Sequence, residues 1–138
     1  MQEYIHLDIS EMLETCAKYP GYTCLIVFGS ASNKKEFVEA MREMASQGKV
    51  PGVVSIDRYG QIKFGNKSVI RTSSVTETSL RGIRANASLF VDDVSQDIIN
   101  MISQNLSPFE SGGVVIDVQE IYNGKEIDEF LEGFSVIA

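Results

Sequence analysis

Thr23-Cys24-Leu25-Ile26-Val27-Phe28 is an unbroken, β-prone apolar run near the start of a chain of 138 residues, and it constrains the architecture more than any other segment. A strand with one wet face alternates polar and apolar residues. One that is apolar throughout is covered on both faces, as at the centre of a parallel sheet. Helices are needed to cover it, and the sequence offers one on each side. Upstream, Asp8-Ile9-Ser10-Glu11 is an acid-for-hydroxyl version of the capping box; Ile9, Met12, Leu13 and Cys16 then share a helical face, and Pro20-Gly21 stops the helix. Downstream, Asn33 with Glu36 three residues on is a second capping signal. Phe37, Ala40, Met41 and Met44 make an apolar stripe, ended by Gly48 and Pro51.

Outward from this core the alternation continues. Gly52-Val53-Val54-Ser55-Ile56 is a short strand, and Gln61 to Phe64 with Ser68 to Thr72 predict a β-hairpin around Gly65-Asn66. Residues 73–87, rich in Ser, Thr, Arg, Gly and Asn, form a loop. Ser88-Leu89-Phe90-Val91 is another buried strand, ending in Asp92-Asp93, and a helix from about Ser95 turns Ile98, Met101 and Ile102 inward. Gly113 to Val118 predicts a final buried strand, and the Asn123-Gly124 turn leads to a short helix with Ile127, Phe130 and Leu131 on one side. The sum is a single α/β domain, residues 1–138, with a mainly parallel sheet, helices on both faces and one β-hairpin.

Composition narrows the function classes. A hydrophobic fraction of 43% with 22% charged residues is that of a globular chain. No apolar run approaches the roughly 20 residues that a membrane helix needs. The start, Met1-Gln2-Glu3-Tyr4, lacks the pattern of a signal peptide, so a cytoplasmic protein with no membrane partner is expected. Cys16 and Cys24 sit in apolar surroundings and are expected to be buried, reduced thiols. His6 is the only histidine, which excludes multi-histidine metal sites within one chain and argues against histidine-based catalysis.

The net charge of −7 argues against coating nucleic acid with the whole surface, but the charge is polarised. Arg58, Lys63, Lys67, Arg71, Arg81 and Arg84 fall in a stretch whose only acid is Glu77; beyond Arg84, Lys125 is the only base. Lys63, Lys67, Arg71, Arg81 and Arg84 are therefore candidates to contact DNA phosphates. The same polarity also suits copies meeting head to tail, an acidic third that imitates nucleic acid, or a solvated surface.

In open parallel sheets chemistry gathers where strands end at their carboxyl termini, here Gly29-Ser30-Ala31-Ser32, Asp92-Asp93 and Asp117. An apolar strand ending in two acids has the form of a Walker B site, and equally of a helix N-terminal cap. The segments before it add specificity: Ile62-Lys63-Phe64-Gly65-Asn66-Lys67-Ser68-Val69-Ile70, Ser73-Ser74, Ser79-Leu80-Arg81-Gly82-Ile83-Arg84-Ala85, and Leu89-Phe90-Val91-Asp92-Asp93. This succession resembles the ATPase domain of phage terminase large subunits, the DNA-packaging motors, in its Walker B half. The resemblance covers about residues 22–130 and is specific over 62–93.

It implies a RecA-like, P-loop-NTPase-like fold. By position, Asp92 takes the Mg²⁺-associated role, Asp93 stands where the family has its catalytic glutamate, and Arg81 is the loop arginine near the nucleotide. The departures are equally informative. No G-x-x-x-x-G-K-[ST] occurs, Asp93 is one methylene shorter than Glu, and Asp117-Val118-Gln119 replaces the family's coupling threonines. Phosphate binding without that loop loses its cradle of N–H groups and its lysine. The expectation is a catalytically degenerate, phage- or prophage-derived relative acting in a bacterial host cell by binding a phage or host protein, itself, or DNA through residues 58–84. The alternative is half of a split motor, for which Mg²⁺ and ATP enter only with a partner chain. Val27-Phe28-Gly29-Ser30 also resembles the opening of small nucleotidyltransferases, but the Asp-x-Asp pair they need does not follow.

Overall fold

The computed structural model describes residues 9–76, 84–116 and 119–122. Helix α1 (Ile9–Lys18) buries Ile9, Met12, Leu13 and Cys16, the face that the spacing predicts. Strand β1 (Thr23–Phe28) is buried from Cys24 to Phe28. Its alternate residues serve two cores. Cys24, Ile26 and Phe28 pack with α1 and with α2 (Ala31–Ser46) on one face of the sheet. Leu25 and Val27 pack with Phe90 and with Ile99 and Ile102 of α3 (Gln96–Ser103) on the other. A fully buried strand thus contributes about 2 kcal/mol per large side chain to each of two layers.

The remaining strands are β2 (Val53–Ile56), β3 (Ile62–Phe64), β4 (Val69–Ser74), β5 (Ala87–Val91), β6 (Phe109–Ser111), β7 (Val114–Ile116) and β8 (Gln119–Tyr122). The main sheet has the order β2-β3-β4-β1-β5-β8, and β6-β7 form a separate two-stranded sheet. This overturns the expected mainly parallel, RecA-like, P-loop-NTPase-like sheet. The sheet is mixed: β1 pairs in parallel with β4 and β5, and β5 with β8, but β2-β3 and β3-β4 are antiparallel, as is β6-β7. The cause is connection length. Residues 57–61 and 65–68 are too few for a parallel crossover, which takes about a dozen residues, so β2, β3 and β4 must fold back on one another. The expected single hairpin is one half of this three-stranded meander.

Two further expectations are corrected. Helix α2 is capped by Ser30 rather than Asn33: the Ser30 side chain accepts from the Asn33 backbone N–H at 3.2 Å. The expected buried strand from Gly113 to Val118 is not in the main sheet. Val114–Ile116 folds back on Phe109–Ser111 around Gly112-Gly113, leaving Val115 64% exposed, and β8 takes the place beside β5. A two-residue Gly-Gly turn favours a local hairpin, and three β-branched residues carry no mark of which sheet they join. In α3 the buried positions are Ile99 and Ile102, with Ile98 and Met101 only partly covered. The Asn123-Gly124 turn, the helix after it, His6 and Asp117-Val118 lie outside the described residues. No helix among the described residues is long and apolar enough to cross a membrane.

Candidate functional site

Phe28 stands level with Ser74 of β4 and with Val91 of β5, so these three parallel strands end together. The chain then leaves β1 for α2 on one face and β5 for α3 on the other. Neighbouring strands whose connections depart to opposite faces leave a crevice at their carboxyl ends, the usual ligand position in open α/β sheets.

The crevice is built from short backbone contacts. The Gly29 N–H donates to the Val91 carbonyl at 3.0 Å and the Val75 N–H to the Phe28 carbonyl at 3.0 Å, tying the ends of the three strands together. A Cβ on Gly29 would lie 2.9 Å from Asp92 Cβ, so only glycine lets β1 and β5 come this close. Asp92 has a left-handed backbone, φ 68°, a conformation that Asp adopts more readily than most residues. Its carboxylate accepts a hydrogen bond from the Asn33 side-chain amide on the first turn of α2. The positive end of the α2 dipole adds to that attraction. Asp93 is exposed, and the backbone N–H of Val94 donates to the Asp92 carbonyl at 3.1 Å.

Hydroxyl groups complete the rim: Ser30 Oγ lies 3.2 Å from Ser32 Oγ, and Ser74 Oγ 2.9 Å from Thr76 Oγ1. The assembly is therefore carboxylate, carboxamide and hydroxyl. Among the described residues no cluster of three or more His, Cys, Asp or Glu is placed to hold a metal ion. Asp92 and Asp93 fit a divalent cation only as one or two ligands of a shell otherwise made of water and ligand oxygens, the manner in which Mg²⁺ is commonly held. The sequence marks Asn33 as a helix cap and Ser74 as part of a Ser-rich segment, neither as a neighbour of Asp92, and Thr76 carries no signal there; only the alignment of strand ends brings them to Asp92.

The predicted DNA-contacting residues among those described lie on β3, on β4, in the turn between them and just before β5. Lys63 alternates with the inward-facing Ile62 and Phe64, and Arg71 with the inward-facing Ile70 and Thr72, so both point to the sheet face opposite α1 and α2. Lys67 lies in the β3–β4 turn and Arg84 just before β5, both at the amino ends of the parallel strands. Arg81 lies outside the described residues.

Comparison of the sequence with family models and with curated proteins finds no match.

Proposed function

We propose that the chain is a phage- or prophage-derived relative of the DNA-packaging terminase ATPases that does not hydrolyse ATP unaided and works by binding, in the cytoplasm of a bacterial host. The kinship rests on the residue pattern over 62–93, not on the class of the sheet. The observation that carries the inactive reading is the state of Asp92. Its carboxylate is engaged by Asn33 at the head of α2, in a chain with no phosphate-binding loop to bring a triphosphate alongside it. Backbone N–H groups and a lysine normally supply most of the grip on a triphosphate, and two carboxylates repel it unless a cation intervenes. Isothermal titration of the chain with ATP and Mg²⁺ tests this: no heat of binding is expected at micromolar nucleotide, and micromolar affinity or turnover by the chain alone would end the proposal.

A second reading is favoured by one feature of the sheet. Among the described residues β8 is the last strand of the main sheet, next to β5, which is the position a parallel strand from another polypeptide would extend. The chain is then the Walker B half of a split packaging motor, with Asp92, Asp93 and Arg81 completed by a partner's phosphate-binding loop. Turnover that appears only on mixing the chain with such a partner distinguishes the two readings.

A further inference from the structure

Helix α2 and the β2–β3 turn meet across a groove of about 390 Å³ whose lining includes Lys34, Lys35, Arg42, Arg58 and Tyr59. Three of the four cations, Lys34, Lys35 and Arg42, come from α2 and lie outside the stretch 58–84 that the sequence marks for DNA contact; Arg58 is the first residue of that stretch. They converge because Lys35, Arg42 and Arg58 are exposed, and because the turn is held against the helix: Arg42 donates to the Asp57 carbonyl at 2.8 Å. Two acids lie near. Glu39 lines the groove, and the Asp57 carboxylate accepts the backbone N–H groups of Tyr59 and Gln61 at 2.9 and 3.0 Å, so it is used in shaping the turn. The balance is four positive side chains against the Glu39 and Asp57 carboxylates, an excess of two positive charges at an open groove in a protein of net charge −7.

Tyr59 adds a second kind of contact. It is 64% exposed, so much of its ring is open to a ligand. One ring face is taken by the Arg58 guanidinium, 4.8 Å from the centroid, whose nitrogen also bonds the Tyr59 hydroxyl at 2.6 Å. A guanidinium-backed tyrosine beside further cations offers a planar base something to stack on and its phosphates something to pair with. This combination is the general device of single-strand binding surfaces. A duplex hides its base faces and cannot use the ring.

We propose that the α2/β2–β3 groove binds a short segment of single-stranded nucleic acid, its phosphates against Lys34, Lys35 and Arg42 and a base on Tyr59. The proposal is independent of whether Asp92 and Asp93 ever meet a nucleotide. Asn33 faces Asp92, whereas Ala31, Lys34, Lys35 and Val38 of the same helix face the turn.

The test is fluorescence anisotropy of a labelled twelve-nucleotide oligothymidylate titrated with the full chain, beside the same length of duplex and free thymidine monophosphate. Single-strand binding is expected to exceed that of both. Its logarithm should fall with the logarithm of salt concentration at a slope of about −2 to −3, the value for three or four phosphates on a single strand. Lys35→Glu with Arg58→Glu should weaken binding at least tenfold, and Tyr59→Leu about fivefold or more. Lys18→Glu, an exposed position at the end of α1 that does not line the groove, should leave it unchanged. Circular dichroism melting establishes that each variant is folded. The proposal is overturned if duplex or mononucleotide binds as tightly as the single strand, if Tyr59→Leu in a folded protein has no effect, or if Lys18→Glu costs as much as the groove variants.

Discussion

Asp92 holds a left-handed backbone and, at the same time, a side-chain hydrogen bond that joins the end of β5 to α2. A charge-assisted bond at a partly buried site contributes about 1–2 kcal/mol. Asn33→Ala is therefore expected to lower stability by about 1 kcal/mol in urea unfolding, with no change in the denaturant slope. Asp92→Asn should be tolerated better than Asp92→Val, because a β-branched residue resists a positive φ. At the far end of the same strands, Cys16 and Cys24 lie with their sulfurs 3.7 Å apart, both buried. The hydrogen bond shared with Cys16, then burial, push the Cys24 thiol well above its ordinary 9.0. Burial, then the neighbouring thiols, push the Tyr22 hydroxyl far above its ordinary 10.0. In the unfolded chain both groups ionise at their ordinary values, so protons are held more tightly by the folded state. Stability is then fully present below pH 9 and falls as pH rises beyond it. Denaturant midpoints at pH 8 and pH 10.5 check the sign, and both thiols should resist iodoacetamide at pH 8 until the protein is unfolded. The burial of these two cysteines was legible from their apolar neighbours; their pairing was not, since it depends on where α1 lands on β1.

At the scale of elements, the helices and strands whose stripes and caps are local were the legible ones. Helix α1 buries the four residues its spacing marks, and β1 is covered on both faces as its composition requires. The α2 cap was misplaced by three residues because Ser30 and Asn33 are both good caps, and the choice falls to Ser30, whose own backbone is extended at φ −147° and ψ 154°. The β2–β3 turn carries the clearest mechanical requirement. Gly60 has φ +84°, and a Cβ there would sit 2.2 Å from the Thr72 hydroxyl, which itself donates to the Gly60 carbonyl at 2.9 Å. Gly60→Ala is expected to cost about 2 kcal/mol or more in stability, from backbone strain and the clash together. It should also displace Arg58 and Tyr59, so the loss of oligonucleotide binding should accompany the lowered melting temperature.

At the scale of the whole molecule, protection should follow position in the sheet. Strand β1 lies between two parallel neighbours and two helical layers, whereas β6-β7 is a small hairpin with Val115 exposed. Native-state hydrogen exchange should therefore find the slowest amides in Cys24–Phe28 and much faster ones in Phe109–Ser111 and Val114–Ile116. Equal protection in both regions would contradict this layering. The α/β character, the central strand, α1, α2 and the Asp92-Asp93 strand end could be stated from residues alone. Each depends on periodicity or capping within a dozen neighbours, where chain connectivity keeps the interacting groups together. The mixed sheet, the displacement of Val114–Ile116 into its own hairpin, the Asn33–Asp92 contact and the basic groove with Tyr59 could not. Each joins residues distant along the chain or arbitrates between equally apolar strands, and that selection is made by which surfaces are buried together, a quantity no local pattern contains.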